Sequence, residues 1–228
     1  MGNILNKYNS MPIRIPFDYV HVKPNPTNSL ILAGKKFYLD TRFEDTKHAP
    51  TCGVVLQVPE RLRFKSLEEA ESDHPSLDFD TEMELQVGDT VIFHYLAEDN
   101  AKRNGLYHED GLFLHYDKIF CAIRNGEIIP INGHLIVEPE SEMIKSNLVI
   151  PDLAIRNSKQ KGTVKYAGKP NKRYRWFPEA YDSELKAGDK IIFHFADAVP
   201  LQHDAEIHGV IEKRNLYRMQ GKDVIAMQ

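Results

Sequence analysis

The sequence predicts an all-β chain built from two tandem β-barrel modules with long loops, and three observations predict it. Four short blocks occur twice in the same order. Strand-like runs are short and punctuated by Gly and Pro, and no long stretch carries the apolar spacing of a helix.

The opening block Phe17-Asp18-Tyr19-Val20-His21-Val22-Lys23-Pro24 is matched by Asn132-Gly133-His134-Leu135-Ile136-Val137-Glu138-Pro139. Each is β-branched or aromatic and stops at a proline, as edge strands do. Gly53-Val54-Val55-Leu56 has its counterpart in Gly162-Thr163-Val164-Lys165. The clearest pair is Leu85-Gln86-Val87-Gly88-Asp89-Thr90-Val91-Ile92-Phe93-His94-Tyr95 against Leu185-Lys186-Ala187-Gly188-Asp189-Lys190-Ile191-Ile192-Phe193-His194-Phe195. In both, a Gly-Asp turn needing positive φ at glycine leads into an apolar run with the pattern of a strand covered on both faces. Leu112 to Ile123 matches Leu216 to Met227 as the closing block. Asn125-Gly126 marks a turn at the boundary. The blocks divide the chain into an N-terminal tail (1–16), module one (17–124), a short linker (125–131) and module two (132–228). The best helix candidate is the acidic stretch Leu67 to Ser72.

Composition excludes several classes. The 228 residues are 42% hydrophobic and 10% aromatic, enough for each half to bury a core. A net charge of −4 offers no cationic face to nucleic acid or anionic lipid, and apolar runs such as Val91 to Phe93 are too short to span a bilayer. The N-terminus lacks a signal-peptide pattern, and Asn6 stands where a myristoylation motif needs Ser or Thr. Two cysteines, Cys52 and Cys121, without paired spacing, predict reduced buried thiols and a cytoplasmic setting. Of the ten histidines, the cluster His203-Asp204-Ala205-Glu206-Ile207-His208 has no third ligand group positioned by sequence, so no metal is expected; His94 and His194 repeat at equivalent strand ends and read as structural. No dinucleotide fingerprint, phosphate loop or nucleophile elbow occurs, so neither an enzyme nor a cofactor is expected.

Together these blocks make the chain resemble the co-chaperonin (GroES) family. Leu185-Lys186-Ala187-Gly188-Asp189-Lys190-Ile191-Ile192-Phe193 looks like the family's Gly-Asp strand signature, and Leu216-Tyr217-Arg218-Met219 with Lys222-Asp223-Val224-Ile225-Ala226-Met227 resembles its closing strand and tail. Module two carries the likeness throughout; module one is more divergent, with longer loops. The resemblance implies a ring of barrels that caps a chaperonin, docking on its apical domains through an apolar tripeptide in the first long loop, with ATP turnover left to the chaperonin. In module two that position holds Leu148, Val149 and Ile150, which either fill their own core or a partner's groove. In module one it holds Phe37, Tyr38 and Leu39, with Leu30-Ile31-Leu32 just upstream as a rival. An ordering cost keeps each such contact weak, and several loops on one ring make the attachment strong yet reversible.

The second long loop is acidic in module one, from Glu68 to Glu84. In module two it carries Lys169, Lys172, Arg173 and Arg175 among Tyr174 and Trp176. These are solvated loops, or loops that pair with opposite charges on neighbouring modules; a nucleic-acid platform is a weaker reading in an acidic protein. A structural or assembly protein, such as a viral one, built from paired barrels without a chaperonin is the alternative to the co-chaperonin.

Overall fold

The computed structural model describes residues 15, 18–25, 29–32, 35–38, 50–64, 79–109, 111–143, 155–169, 185–194, 199–201 and 216–227. The first half forms strands β1 (Tyr19–Pro24), β2 (Ser29–Leu32), β3 (Lys35–Tyr38), β4 (Cys52–Gln57), β5 (Leu62–Phe64), β6 (Phe79–Thr81) and β7 (Thr90–Phe93). After helix α1 (Ala97–Arg103) come β8 (Tyr107–His108), β9 (Gly111–His115), β10 (Ile119–Arg124) and β11 (Glu127–Pro130). The second half contains β12 (His134–Met143), β13 (Ile155–Ala167), β14 (Lys190–Phe193), β15 (Val199–Pro200), β16 (Tyr217–Gln220) and β17 (Val224–Met227).

The described residues are mostly β, in two large antiparallel sheets and two separate two-stranded pairs, β2–β3 and β5–β6. One large sheet runs β11-β10-β7-β4-β1-β9-β8 and the other, read from its far edge, β17-β14-β13-β12-β16-β15. Strand for strand these are the same order, with β11 added to the first. Among the described residues neither sheet closes into a barrel, because no ladder joins the outermost strands.

The registers repeat as well. Val22 pairs with Val55 and Val137 with Val164, each beside a register shift at the same place in the strand. A second shift interrupts the β7–β10 and β14–β17 ladders between Phe93 and Ile92 and between Phe193 and Ile192. Bulges re-aim side chains and are kept as features, so two shared ones show a common backbone plan. The register also moves the closing block by one residue: Val20 pairs with Leu114 and Leu135 with Met219, so Leu112 corresponds to Tyr217 and not to Leu216. The apolar pattern tolerates that slip, but the hydrogen-bond ladder to the opening strand does not.

The Gly-Asp turn is built twice from the same bonds. Gly88 and Gly188 have φ of 93° and 101°, open to glycine and costly for other residues. The Gly88 N–H donates to the Val55 carbonyl at 2.9 Å and the Gly188 N–H to the Val164 carbonyl at 2.8 Å. Asp89 and Asp189 each accept the backbone N–H three residues earlier, at 2.8 and 2.7 Å. A short polar side chain is needed there because it closes the turn that its own backbone leaves open.

Each sheet carries a core of equivalent residues. Leu135, Val137, Val164, Leu185, Ile191, Phe193 and Met219 cluster in the second half. Their counterparts Val20, Val22, Val55, Leu85, Val91, Phe93 and Leu114 cluster in the first, joined there by Ile119, Tyr116 and Ile131.

One expectation gains structural detail, and another falls outside the described residues. Stretch 125–131 is not free chain: Asn125 and Gly126 have φ of 53° and 82°, the signature of a tight hairpin turn, and Glu127–Pro130 folds back on β10 as β11. The one helix among the described residues is Ala97–Arg103, whereas Leu67 to Ser72 lies outside them. Its signal is electrostatic: Glu98 and Asp99 open it, Lys102 and Arg103 end it, and they pair at 2.9 and 2.8 Å across one turn.

A Cβ on Gly53 would lie 2.5 Å from the Lys23 carbonyl oxygen, and one on Gly162 2.6 Å from Val137 Cγ1 and 2.7 Å from the Glu138 carbonyl oxygen. The crossing strands therefore touch backbone to backbone. Gly53→Ala and Gly162→Ala are each expected to cost about 2 kcal/mol or more, read from urea unfolding midpoints.

Candidate partner-binding loops and the module junction

Both first loops leave the sheet at the same place, between the opening strand and its antiparallel neighbour. In module two β12 and β13 run on past Pro139 and Gly162 as a two-stranded ribbon, pairing Ser141 with Asn157, Glu142 with Arg156 and Met143 with Ile155. The segment 144–154, with Leu148, Val149 and Ile150, connects Met143 to Ile155 in sequence and lies outside the described residues. In module one Leu39 also lies outside them, but Phe37 and Tyr38 stand on β3, opposite Leu30 and Ser29 on β2. The two apolar segments that compete in the sequence are thus opposite strands of one hairpin.

The second loops are rooted beside each other at the junction of the modules. Lys169 Nζ at the base of the basic loop meets Glu82 Oε2 at the base of the acidic loop, 2.8 Å away and exposed. Lys172, Arg173, Tyr174, Arg175 and Trp176 fall outside the described residues, as does His203 to His208. Between the two roots opens a cleft of about 550 Å³ lined by Glu82, Glu84, Arg124, Lys165, Tyr166 and Lys169 among others.

At the floor of that cleft sits a partly buried polar knot. Glu84 Oε2 accepts the Tyr116 hydroxyl at 2.7 Å and the Asn132 backbone N–H at 2.9 Å, tying module one to the first residue of module two. Burial raises the Glu84 carboxyl above its usual range despite both bonds, and burial with the Glu84 charge pushes the Tyr116 hydroxyl upward. Arg124 grips Asp89 through two bonds, Nε to Oδ1 at 2.8 Å and Nη2 to Oδ2 at 2.7 Å, and reaches the Glu84 carbonyl at 2.9 Å. A two-pronged pair of this geometry locks β10 to the Gly-Asp turn.

An apolar layer completes the junction. Ile92, Phe120, Cys121 and Ile123 from module one and Ile128 from the linker strand pack with Ile136, Leu201 and Leu216 from module two. The Arg218 guanidinium lies 3.5 Å from the Phe120 ring centroid, and the His134 ring meets Phe120 edge-on at 5.3 Å. Desolvation pulls Arg218 down to about 10 and pushes the Cys121 thiol up to about 12. Cys52 and Cys121 are both buried and unlinked, opposite Ile92 from either side and so two strand spacings, about 10 Å, apart.

The repeated histidines part company. His94 Nδ1 accepts the Leu96 N–H at 3.1 Å at the start of α1, the ring stacks on Tyr95 at 4.6 Å, and burial holds it below the usual imidazole range. His194 is exposed. Among the described residues no group of three His, Cys, Asp or Glu is placed to hold a metal ion, and no helix is long and apolar enough to cross a membrane.

Sequence reading missed Glu84, Phe120 and Arg218. Arg218 carried one signal, a cation inside the apolar strand Leu216–Met219, since a charge in such a run is covered by something specific. No family model matches the chain, and no curated protein matches it.

A carboxyl whose proton is held more tightly in the folded chain stabilises less as pH rises from its unfolded value, 4.5, through its raised folded value. Wild type should therefore lose stability relative to Glu84→Gln between pH 4.5 and pH 7, read as the difference of their urea midpoints at each pH. A constant difference would mean that folding leaves the proton affinity of Glu84 unchanged, and a gain by wild type that folding lowers it.

Proposed function

We propose that this chain is a co-chaperonin: two GroES-like modules in tandem that dock on the apical domains of a chaperonin, cap its chamber and assist ATP-dependent folding. One observation carries the reading. The same six-strand plan occurs twice, and each copy sends a long excursion out between its opening strand and that strand's neighbour. Leu148, Val149 and Ile150 belong to one excursion, and Phe37, Tyr38 and Leu39 to the other. A rigid sheet presenting a loop with a few apolar residues suits weak, repeated, releasable contacts. The reading includes self-association into a ring and a cytoplasmic location, with no nucleic acid, membrane, cofactor or catalytic residue of its own.

A structural or assembly protein without a chaperonin is favoured by one observation, the Leu30–Phe37 pairing, which gives module one's apolar segments a backbone partner inside the chain. Proteolysis separates the readings: protection of 144–154 on adding chaperonin and nucleotide supports the first.

Replacing Val149 and Ile150 by Ser removes about 3 kcal/mol of apolar burial per loop, so chaperonin co-migration in nucleotide should weaken about 100-fold while unfolding is unchanged. Unchanged binding by the double variant would remove those residues from the docking site.

A further inference from the structure

We propose that the seam between the modules holds a small-anion site, in which Arg218, Lys118 and His94 take a tetrahedral dianion of the phosphate class. Such a site works independently of chaperonin docking.

Arg218 lies on β16, paired with Ile136 on one side and Val199 on the other. It is half-buried, and its guanidinium sits 3.5 Å from the ring centroid of Phe120 in the other module. An aromatic face attracts the cation but leaves its fork of N–H donors unfilled. Among the described residues no carboxylate pairs with it. The acid that acts on it is the Cys121 thiol, which burial keeps protonated. A charge drawn out of water without a counter-charge is costly, and an anion in reach of the fork removes that cost.

Two further donors stand beside the same ring. The His94 ring centroid is 6.3 Å from that of Phe120, and the His94 backbone N–H donates to the Lys118 carbonyl at 2.9 Å, which sets those two residues side by side. Burial first, then the charges of Arg218 and Lys118, hold the His94 ring below the usual imidazole range, so the three groups share one field. His94 Nδ1 accepts the Leu96 N–H at 3.1 Å, which puts the ring proton on Nε2, a donor in either charge state. The Lys118 ammonium is half-exposed, and Asp117 stands 3.7 Å from it, beyond hydrogen-bond length.

The duplication shows that the backbone plan does not ask for these charges. His94 and His194 donate alike to the carbonyls of Lys118 and Asp223, so module two has an acid where module one has a lysine. By register Arg218 answers to Phe113, and Phe120 to Ile225. The same strands are therefore built without the cations. At the seam cations from both modules gather instead, in a chain of net charge −4. A planar fork alone matches a carboxylate. A fork with an ammonium and an imidazole donor beside it matches a dianion with more acceptor oxygens. An anion seated there ties β16 of one module to β7 and β10 of the other.

The test titrates the full chain with inorganic phosphate at constant ionic strength, read by calorimetry and by phosphorus NMR line width, so that general salt effects stay equal. Wild type is expected to bind about one phosphate per chain, saturably, with Kd about 1 mM. Arg218→Met keeps an apolar stem over Phe120 and should weaken binding about tenfold or more. Lys118→Asp introduces the residue type that module two carries at the equivalent position and should weaken it by about as much. Lys190→Gln, at an exposed position on β14, should leave it unchanged. Should Arg218→Met fail to fold, Lys118→Asp decides, since the plan already tolerates an acid there. No saturable binding by wild type up to about 20 mM phosphate overturns the proposal. So does wild-type affinity in Lys118→Asp or in folded Arg218→Met, or an equal loss in Lys190→Gln. Acetate competing as well as phosphate overturns the choice of a dianion.

Discussion

A twisted antiparallel sheet ends in two rims of unpaired backbone N–H and C=O groups, and the way those rims are closed shapes this molecule. In the first half one rim is sealed from within the chain. The Asn125-Gly126 hairpin turns the strand back at once, and β11 pairs with β10 along its length. Everything at the module junction follows from that turn. It delivers Asn132 to the partly buried Glu84 carboxyl group, lodges Ile131 in the first core and sets His134 against Phe120. The linker is therefore a structural strand, and the modules share an apolar layer instead of swinging on a tether.

The two halves keep one backbone plan with few identical side chains, which shows where the plan is strict. It is strict at Gly53 and Gly162, where strands approach too closely for a Cβ, and at the Gly-Asp turns, where a positive φ and a short acceptor are both needed. It is loose in the first and second loops, whose lengths differ between modules. A scaffold held at a few backbone contacts frees its loops to vary, and binding residues concentrate in such loops.

Charge is arranged with the same economy. Exposed Glu82 and Lys169 join the roots of the acidic and basic loops, so opposite charges of neighbouring modules meet inside one chain at that point. As an exposed pair it contributes little to stability. Glu84, Arg124 and Asp89 lie deeper, where each charge has two or three partners, and there the network holds strand, turn and junction in one geometry.

By itself the sequence determined the all-β class, the duplication, the positions of most strands and the two glycine-led turns, because these rest on local chemistry: two-residue periodicity, proline stops and glycine φ. It marked Leu148, Val149 and Ile150 as an apolar anomaly within a polar stretch, and Phe37, Tyr38 and Leu39 as a candidate beside Leu30–Leu32. Only the tertiary structure decided that those last two segments face each other, that 127–130 is a strand, and that the closing blocks align one residue further on. Hydrogen-bond register sets all three, and apolar pattern is indifferent to it. The junction residues Glu84, Phe120 and Arg218 were hidden for a related reason: their partners stand far away in the chain, and neither burial nor a shifted proton affinity exists until two modules meet.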